Sequence, residues 1–293
     1  MFITPREYLD RFGRRACKSL GQHFLIQPRT ARRIVEAVEI EPGNIVVEIG
    51  PGLGSLTKYL IEYPCCLHLV ELDRTLAEAL QNVMPQGKAS ITWHIKDILD
   101  VNWHDFIMNS PVEPACKSSL KIVGNIPYGI SSPLLFHLIK SHEIIERAVF
   151  MVQREVGLRW TAEPSSKDYG IPTVILKNCA ETEKLFAVGH GQFVPPPRVE
   201  SLVVRIKFFD SPGWAPLSYE LFHGVVSELF RQRRKTILNG LKSFLSKNPG
   251  IRYPERFLTT CLEKTGISAS ARPEELSPED FVKLAKCLSG IDA

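Results

Sequence analysis

Asn125-Ile126-Pro127-Tyr128 is a stretch whose residue types and order could do chemistry. Asn supplies a side-chain carbonyl acceptor, Pro fixes the backbone so that neighbouring carbonyls can point outward, and Tyr supplies a flat stacking face. Together they would grip a planar ring that bears an amino group. An ordinary strand-to-helix turn is the competing reading of the tetrapeptide alone, so its surroundings decide. Upstream stand a glycine loop, Gly50-Pro51-Gly52-Leu53-Gly54, then Glu71, then Asp97. The Gly-x-Gly-x-Gly spacing differs from the Gly-x-Gly-x-x-Gly of dinucleotide folds, and no Gly-Lys-Ser/Thr follows, so no pyrophosphate is expected. Glycines let the backbone approach a ligand closely, with Glu48 just before them as an anchor behind the loop.

These residues need a scaffold that gathers loop tips. Asn44 to Ile49 reads as a buried strand running into the glycine loop, Cys66 to Val70 as a strand ending at Glu71, and Ser90 to Lys96 as a strand ending at Asp97. Helical patterns lie between them, so the order is β-α-β-α-β with an acid at or near each tip. There a carboxylate at Glu71 can accept both hydroxyls of a ribose, and Asp97 can accept from an adenine amino group. Singly, each acid reads as a solvated strand-end charge. As an ordered set with the loop they describe an adenosine ligand without phosphates, and S-adenosylmethionine fits. The apolar run before Asn125 is a fourth strand, followed by a helix that Ser132 can cap with Pro133 in its first turn. Ala148 to Val152 is a fifth strand, Ile171 to Asn178 a helix and Thr182 to Val188 a strand. Three prolines, Pro195 to Pro197, precede a β-branched strand and hold Phe193 in place. After the linker Asp210 to Pro216 strand signals cease, and helices are expected from Ser218, through Ile237 to Leu245, near Pro254 to Thr265, and from Ser277 to Leu288. The boundary between the two domains is therefore placed at 208/209, as 1–208 and 209–293.

With 293 residues, 44% hydrophobic and 23% charged, the chain has the make-up of a water-soluble globular protein of one large and one smaller domain. A net charge of +4 is weak, but its distribution is not even. From Arg11 to Val35 there are seven basic residues, Arg14, Arg15, Arg29, Arg32 and Arg33 among them, and no acid. Arg231-Gln232-Arg233-Arg234-Lys235 is a second cluster. Two such patches can follow a phosphate backbone. The seven cysteines are scattered without a Cys-x-x-Cys pair, and the eight histidines lack ligand spacing, which reads as reduced thiols, a cytoplasmic location and no metal. No membrane span or signal-peptide core is evident, and Glu7 and Asp10 speak against a transit peptide.

Taken together, Leu20-Gly21-Gln22-His23-Phe24-Leu25, Val47 through Gly54, Glu71-Leu72-Asp73, Gly124 through Tyr128, Phe193 through Val204 and Phe230 through Thr236 resemble the small-subunit ribosomal RNA adenine dimethyltransferase family. The resemblance spans nearly the whole chain, with its motifs in order. It implies an α/β fold, a seven-stranded Rossmann-like class I methyltransferase sheet with a small all-α C-terminal domain. By similarity, cofactor contacts fall on His23, Leu25, Gly50, Glu71, Asp97 and Asn125. The family often has Asn where His23 stands and Leu where Ile126 stands. Catalysis falls on Asn125, Pro127 and Tyr128: the Asn125 carbonyl and a main-chain carbonyl in Ile126-Pro127 would accept the two N6 hydrogens of an adenine, with Tyr128 stacked on the base and Phe193 a candidate for the other wall. Arg231, Arg233, Arg234 and Lys235, with Arg14 and Arg15 in the amino-terminal arm, would contact phosphates. The implied substrate is small-subunit rRNA in an immature 30S particle, dimethylated on two adjacent adenosines of its 3′-terminal hairpin by a monomeric enzyme. Two rivals are a macrolide-resistance type of methyltransferase acting on large-subunit rRNA and a non-catalytic ribosome-assembly factor. The triple-proline turn with Arg198-Val199-Glu200-Ser201 and the Gln232 to Thr236 run favour the small-subunit enzyme. The intact Asn125 to Tyr128 motif argues against lost chemistry.

Overall fold

Near-continuous apolar runs form the central strands, because a parallel sheet covered on both faces offers them no solvent side. The computed structural model describes Phe2, Thr4, Glu7, Tyr8 and residues 23–108, 120–247 and 255–290. The arm bearing Arg14 and Arg15, and the Leu20 to Gln22 part of the first motif, lie outside the described residues. Strands β1 (Phe24–Leu25), β2 (Ile45–Ile49), β3 (Cys66–Glu71), β4 (Ser90–Ile95), β5 (Leu120–Asn125), β6 (Ile145–Gln153), β7 (Ala180–Val188), β8 (Phe193–Val194) and β9 (Ser201–Phe208) alternate with helices, of which α1 (Pro28–Glu36), α2 (Thr57–Leu60), α3 (Arg74–Gln81), α4 (His104–Met108) and α5 (Ser131–Ile139) come first. Seven strands make one sheet in the order β4-β3-β2-β5-β6-β9-β7. Strands β2, β3, β4, β5 and β6 pair in parallel, and β9 runs antiparallel to β6.

Strand order turns back between β2 and β5, where Ile49 stands opposite Gly124. Open α/β sheets bind ligands at such a switch point, outside the carboxyl ends of the strands. Gly50, Glu71, Asp97 and Asn125 all lie there, each at or just past its strand's end. At the amino ends, Glu39 (φ 54°) takes ion pairs from Arg147 (2.5 Å) and Arg205 (2.8 Å), and its carbonyl accepts from Lys121. The hydrogen bond from Arg147 holds the Glu39 carboxyl below the usual range.

Two features differ from the sequence reading. Helix α5 starts at Ser131 with Ile130 in the capping position, and its first turn is tied by Ser131 Oγ donating to the Pro127 carbonyl at 3.4 Å, so Ser132 is not the cap. Phe193 and Val194 pair antiparallel with Leu25 and Phe24, a two-stranded ribbon that local periodicity in two-residue segments could not announce.

The chain divides into two compact units, Met1–Gly157 with Thr182–Phe208, and Leu158–Glu181 with Phe209–Ala293. The second thus includes a segment that the sequence reading placed in the first. The Tyr169 hydroxyl donates to the Leu276 carbonyl at 2.9 Å, and the Asn178 amide to that of Pro278 at 3.0 Å. Helix α6 (Arg154–Trp160) leads into this segment, which carries α7 (Ile171–Lys177), and α8 (Tyr219–Arg231), α9 (Ile237–Lys247), α10 (Glu255–Thr265) and α11 (Pro278–Ser289) follow. Ring stacking of Trp214 on Phe222 and of Phe230 on Phe281 fills the unit's core. Helices α10 and α11 bring the sulfurs of Cys261 and Cys287 together as a pair, their Cα atoms 5.9 Å apart. The sequence reading took all seven cysteines as reduced thiols; that these two meet across packed helices was hidden by their separation of 26 residues. No helix among the described residues is long and apolar enough to cross a membrane, and no group of three His, Cys, Asp or Glu side chains there could hold a metal.

Candidate active site

The loop leaving β2 turns on positive φ at Gly50 (64°), Gly52 (55°) and Gly54 (81°), which side-chain-bearing residues rarely adopt. A Cβ on Gly50 would meet nothing within 4 Å, so the space above it is open to a ligand, whereas one on Gly54 would strike Leu80 at 2.7 Å. Below the loop, Glu48 is 2% exposed and accepts from the Thr57 hydroxyl at 2.7 Å. Burial pushes its carboxyl up to about 8; the bond from Thr57 opposes the rise and the nearby Glu71 charge adds to it.

Glu71 closes the next side. Its Oε2 accepts from Gly52 N at 3.1 Å and its Oε1 from Asp73 N at 3.0 Å, so two backbone donors hold the carboxylate against the loop. Burial raises its pKa nonetheless. Asp73 points away and caps α3, accepting from Thr75 N at 2.9 Å. Asp97 accepts from Leu99 N at 2.9 Å, which orients its carboxylate at the end of β4.

At the end of β5, the Asn125 amide nitrogen donates to the His23 carbonyl at 2.9 Å, which leaves the Asn125 carbonyl oxygen as the group not used by that bond. Ile126 N donates to Met151 O at 2.9 Å, anchoring the turn to β6. The Pro127 carbonyl accepts from Ile130 N (3.2 Å) and from the Ser131 hydroxyl. Tyr128 is half-buried, its pKa raised by burial against a side-chain bond to Ser201, and its ring centroid is 5.7 Å from that of His23. His23 is itself held by its Nδ1 at 2.8 Å from the Pro195 carbonyl. The β1/β8 ribbon and the triple-proline turn thereby support the Asn125 to Tyr128 turn from the far end of the domain sequence.

One cavity of about 620 Å³ gathers His23, Leu25, Gly50, Glu71, Asp97, Asn125, Pro127 and Tyr128. Phe193 is not among its lining residues. At 3% exposure it packs in the core with Leu25 and Val188, which leaves its ring no face toward a base. Sequence reasoning passed over Phe2, Thr4, Ile26, Lys58, Leu72 and Ile98, which line the same cavity. Leu72 and Ile98, each next to a chosen acid, could have been found by adjacency; Phe2 and Thr4 carry no local signal.

In the helical unit the basic run divides by side-chain use. Arg233 is engaged throughout, donating to Glu274 at 2.5 Å and to the carbonyls of Lys167 and Ser166 at 3.2 Å each. Arg231 lies 3.4 Å from Glu228, while Arg234 and Lys235 are exposed and form no ion pair among the described residues. Arg233 is thus a tie between segments, unlike its neighbours, because Glu274 is brought to it by a turn 41 residues away.

A sheet of seven strands, parallel from β4 to β6 with β9 antiparallel to β6, and a glycine loop, the strand-end acids Glu71 and Asp97 and the Asn-Ile-Pro-Tyr turn around one cavity, define a class I S-adenosylmethionine-dependent methyltransferase. More narrowly, the chain belongs to the ribosomal RNA adenine dimethylase family, whose model matches residues 13–289. It is 38% identical over 280 residues to "Ribosomal RNA small subunit methyltransferase A" of Nitrosococcus oceani, covering 95% of this chain and 98% of the relative. The protein of the same name in Chromobacterium violaceum is 41% identical over 273 residues, 92% of this chain and 95% of the relative. Among solved structures, a dimethyladenosine transferase from Plasmodium falciparum is similar in fold, with a TM-score of 0.72 at 24% identity, covering 89% of this chain and 96% of that one. The 23S rRNA methyltransferase ErmE gives a TM-score of 0.65 at 25% identity over 91% and 99%. The cavity fits the methyl donor: open space above Gly50 admits a ligand against bare backbone, and Glu71 stands fixed at its wall.

Proposed function

We propose that this enzyme methylates the N6 amines of two adjacent adenosines in the 3′-terminal hairpin of small-subunit rRNA, giving N6,N6-dimethyladenosine in an immature 30S particle. The observation that carries the reading is the Asn125 side chain, whose amide nitrogen is tied to the His23 carbonyl and whose oxygen is left as an acceptor in the cavity that Glu71 and Asp97 share. The relatives named for the small subunit, and their near-complete coverage, support it over the large-subunit alternative.

Bound S-adenosylmethionine supplies a methyl carbon already activated by a sulfonium. Glu71 would accept the ribose hydroxyls, Asp97 would accept from the adenine amine of the donor, and His23, Leu25 and Gly50 would form the remaining contacts. The target N6 is a poor nucleophile because its lone pair is delocalised into the ring. Asn125 Oδ1 takes one N6 hydrogen and the Ile126 carbonyl takes the other, since the turn already uses that of Pro127. Both bonds favour a tetrahedral nitrogen and hold it in line with the methyl carbon. Tyr128 stacks on the flipped base, worth about 1 to 3 kcal/mol. The N–C bond would form as the sulfonium's S–CH3 bond breaks, its electron pair staying on the thioether sulfur, and the alkylated nitrogen, then cationic and acidic, would release its proton to water without a strong base. Arg231, Arg234 and Lys235, with Arg14 and Arg15, contact phosphates, and the region after residue 208 serves as the RNA-substrate domain of a monomeric, cytoplasmic enzyme.

Purified protein should convert immature small subunits, and not large-subunit RNA, to product with dimethyladenosine in the 3′-terminal fragment by mass spectrometry. Methylation confined to large-subunit RNA would overturn the assignment.

A further inference from the structure

Helix α1 carries Arg29, Arg32 and Arg33 at i, i+3 and i+4, hence on one face, while Thr30, Ala31, Ile34 and Val35 are buried on the other. All three arginines are exposed, and none forms an ion pair among the described residues. Two are laid on aromatic rings, Arg33 3.7 Å from the centroid of Phe186 and Arg32 5.3 Å from that of Tyr59. Lys58 stands 5.0 Å from the same Tyr59 ring and also lines the cavity, as does Ile26, 44% exposed just before α1. The cations therefore run from the cavity mouth along α1. Lys184, two residues from Phe186 and so on the same side of β7, extends the row. Glu36, Glu62 and Glu183 are the nearest acids in sequence, and none is paired to these cations among the described residues, Glu183 being taken by Arg205.

A solvated helix face would not need its guanidinium groups held over aromatic rings, as those of Arg33 and Arg32 are. Stacking restricts a side chain that is otherwise free, and leaves the edge N–H donors pointing outward, a geometry suited to bidentate phosphate. Helix position argues the same way, because Arg29 in the first turn opposes the helix dipole and has no compensating acid beside it. We propose that this face of α1, with Lys58 and Lys184, is a second RNA-docking track that holds the phosphates flanking the target base as it enters the cavity. It rests on the rRNA substrate proposed above and is separate from the basic run after α8.

The test uses the full-length protein and a small-subunit rRNA fragment containing the 3′-terminal hairpin. Arg29→Glu/Arg32→Glu/Arg33→Glu should weaken RNA binding roughly tenfold or more at moderate salt, and lower the log–log salt slope by about 2 to 3, near 0.7 to 0.9 for each phosphate no longer neutralised. The triple Gln variant should show the same direction at smaller amplitude, and Arg33→Lys, which keeps charge but not the plane, should keep the slope. Cofactor affinity by calorimetry and kcat at saturating RNA should match wild type, since none of the three lines the cavity. An unchanged slope and KM in the triple variants, with wild type active, would overturn the track alone. A wild-type enzyme that neither binds nor methylates the fragment would overturn the substrate assignment and the track with it.

Discussion

Asn125 has a donor end and an acceptor end, and the fold uses the donor end internally. With its nitrogen bound to the His23 carbonyl, rotation that would present the donor to a substrate amine is disfavoured. Asn125→Ala should therefore lower kcat by two orders of magnitude or more, a loss of about 3 kcal/mol of transition-state stabilisation, with a smaller change in cofactor affinity by calorimetry. Near-normal turnover would sink the assigned role. Glu48 makes a different prediction. Its folded pKa of about 8 lies above the ordinary 4.5, so the folded state binds more protons between these values, and stability falls as pH rises through 8. The fall amounts to roughly 2 kcal/mol between pH 6 and 8 at about 1.4 kcal/mol per unit. In Glu48→Gln that decline should flatten in denaturant titrations across this range; an unaltered decline would assign it to other groups. That Asn125, Glu71 and Asp97 stand at strand ends, where one cavity gathers them, was legible in the sequence because each ends or closely follows a run that reads as a strand. The His23 carbonyl that orients Asn125 was not, since a backbone contact across 102 residues leaves no residue-type signal.

Elements place these groups by how closely they pack. A Cβ on Gly124 would lie 2.7 Å from the Ile49 carbonyl and 2.9 Å from Ile126 Cδ1, so β5 approaches β2 as only glycine allows. Gly124→Ala should destabilise by about 1 to 3 kcal/mol, read as a lower Tm, and should weaken both cofactor binding and turnover because the tips of β2 and β5 move together. A wild-type Tm would show that the strands can yield. In the helical unit, Arg233→Ala should lower stability by about 1 to 2 kcal/mol, since it releases Glu274 and two carbonyls at a partly exposed site. Arg234→Ala/Lys235→Ala should leave stability unchanged and weaken RNA binding. Reversed results in unfolding and binding titrations would return the structural role to the neighbours. Long periodic elements were readable in advance, α11 above all, where Ser277 caps and Pro278 opens the helix. The start of α5 was not, because Ser132 has the residue type of a cap while the helix begins one residue earlier, with Ile130 in the capping position and the Ser131 hydroxyl tied to the Pro127 carbonyl.

For the molecule as a whole, a histidine pair inside the sheet domain contributes to the loss of stability in acid. His68 is 1% exposed, with its Nδ1 3.0 Å from His94 Nε2 and its ring against Phe106. Burial, with His94 adding to it, lowers its pKa to about 4. The unfolded chain takes that proton near 6.5, so the unfolded state binds more protons between 6.5 and 4, and stability falls as pH drops through that window. The loss is roughly 2 kcal/mol between pH 6.5 and 4.5. His68→Leu should flatten this acid limb in urea titrations at several pH values; an unchanged limb would place the effect elsewhere. The sequence by itself determined the β-α order, the acids at the strand tips, the Asn-Ile-Pro-Tyr turn and the basic runs, because hydrophobic periodicity and turn chemistry are local properties. Tertiary structure alone decided that residues 158–181 group with the helical unit, that Phe193 is core, that Arg233 is a tie, and that Cys261 meets Cys287. Each of these depends on which distant surfaces come together, and long-range packing leaves no imprint on the spacing of neighbouring residues.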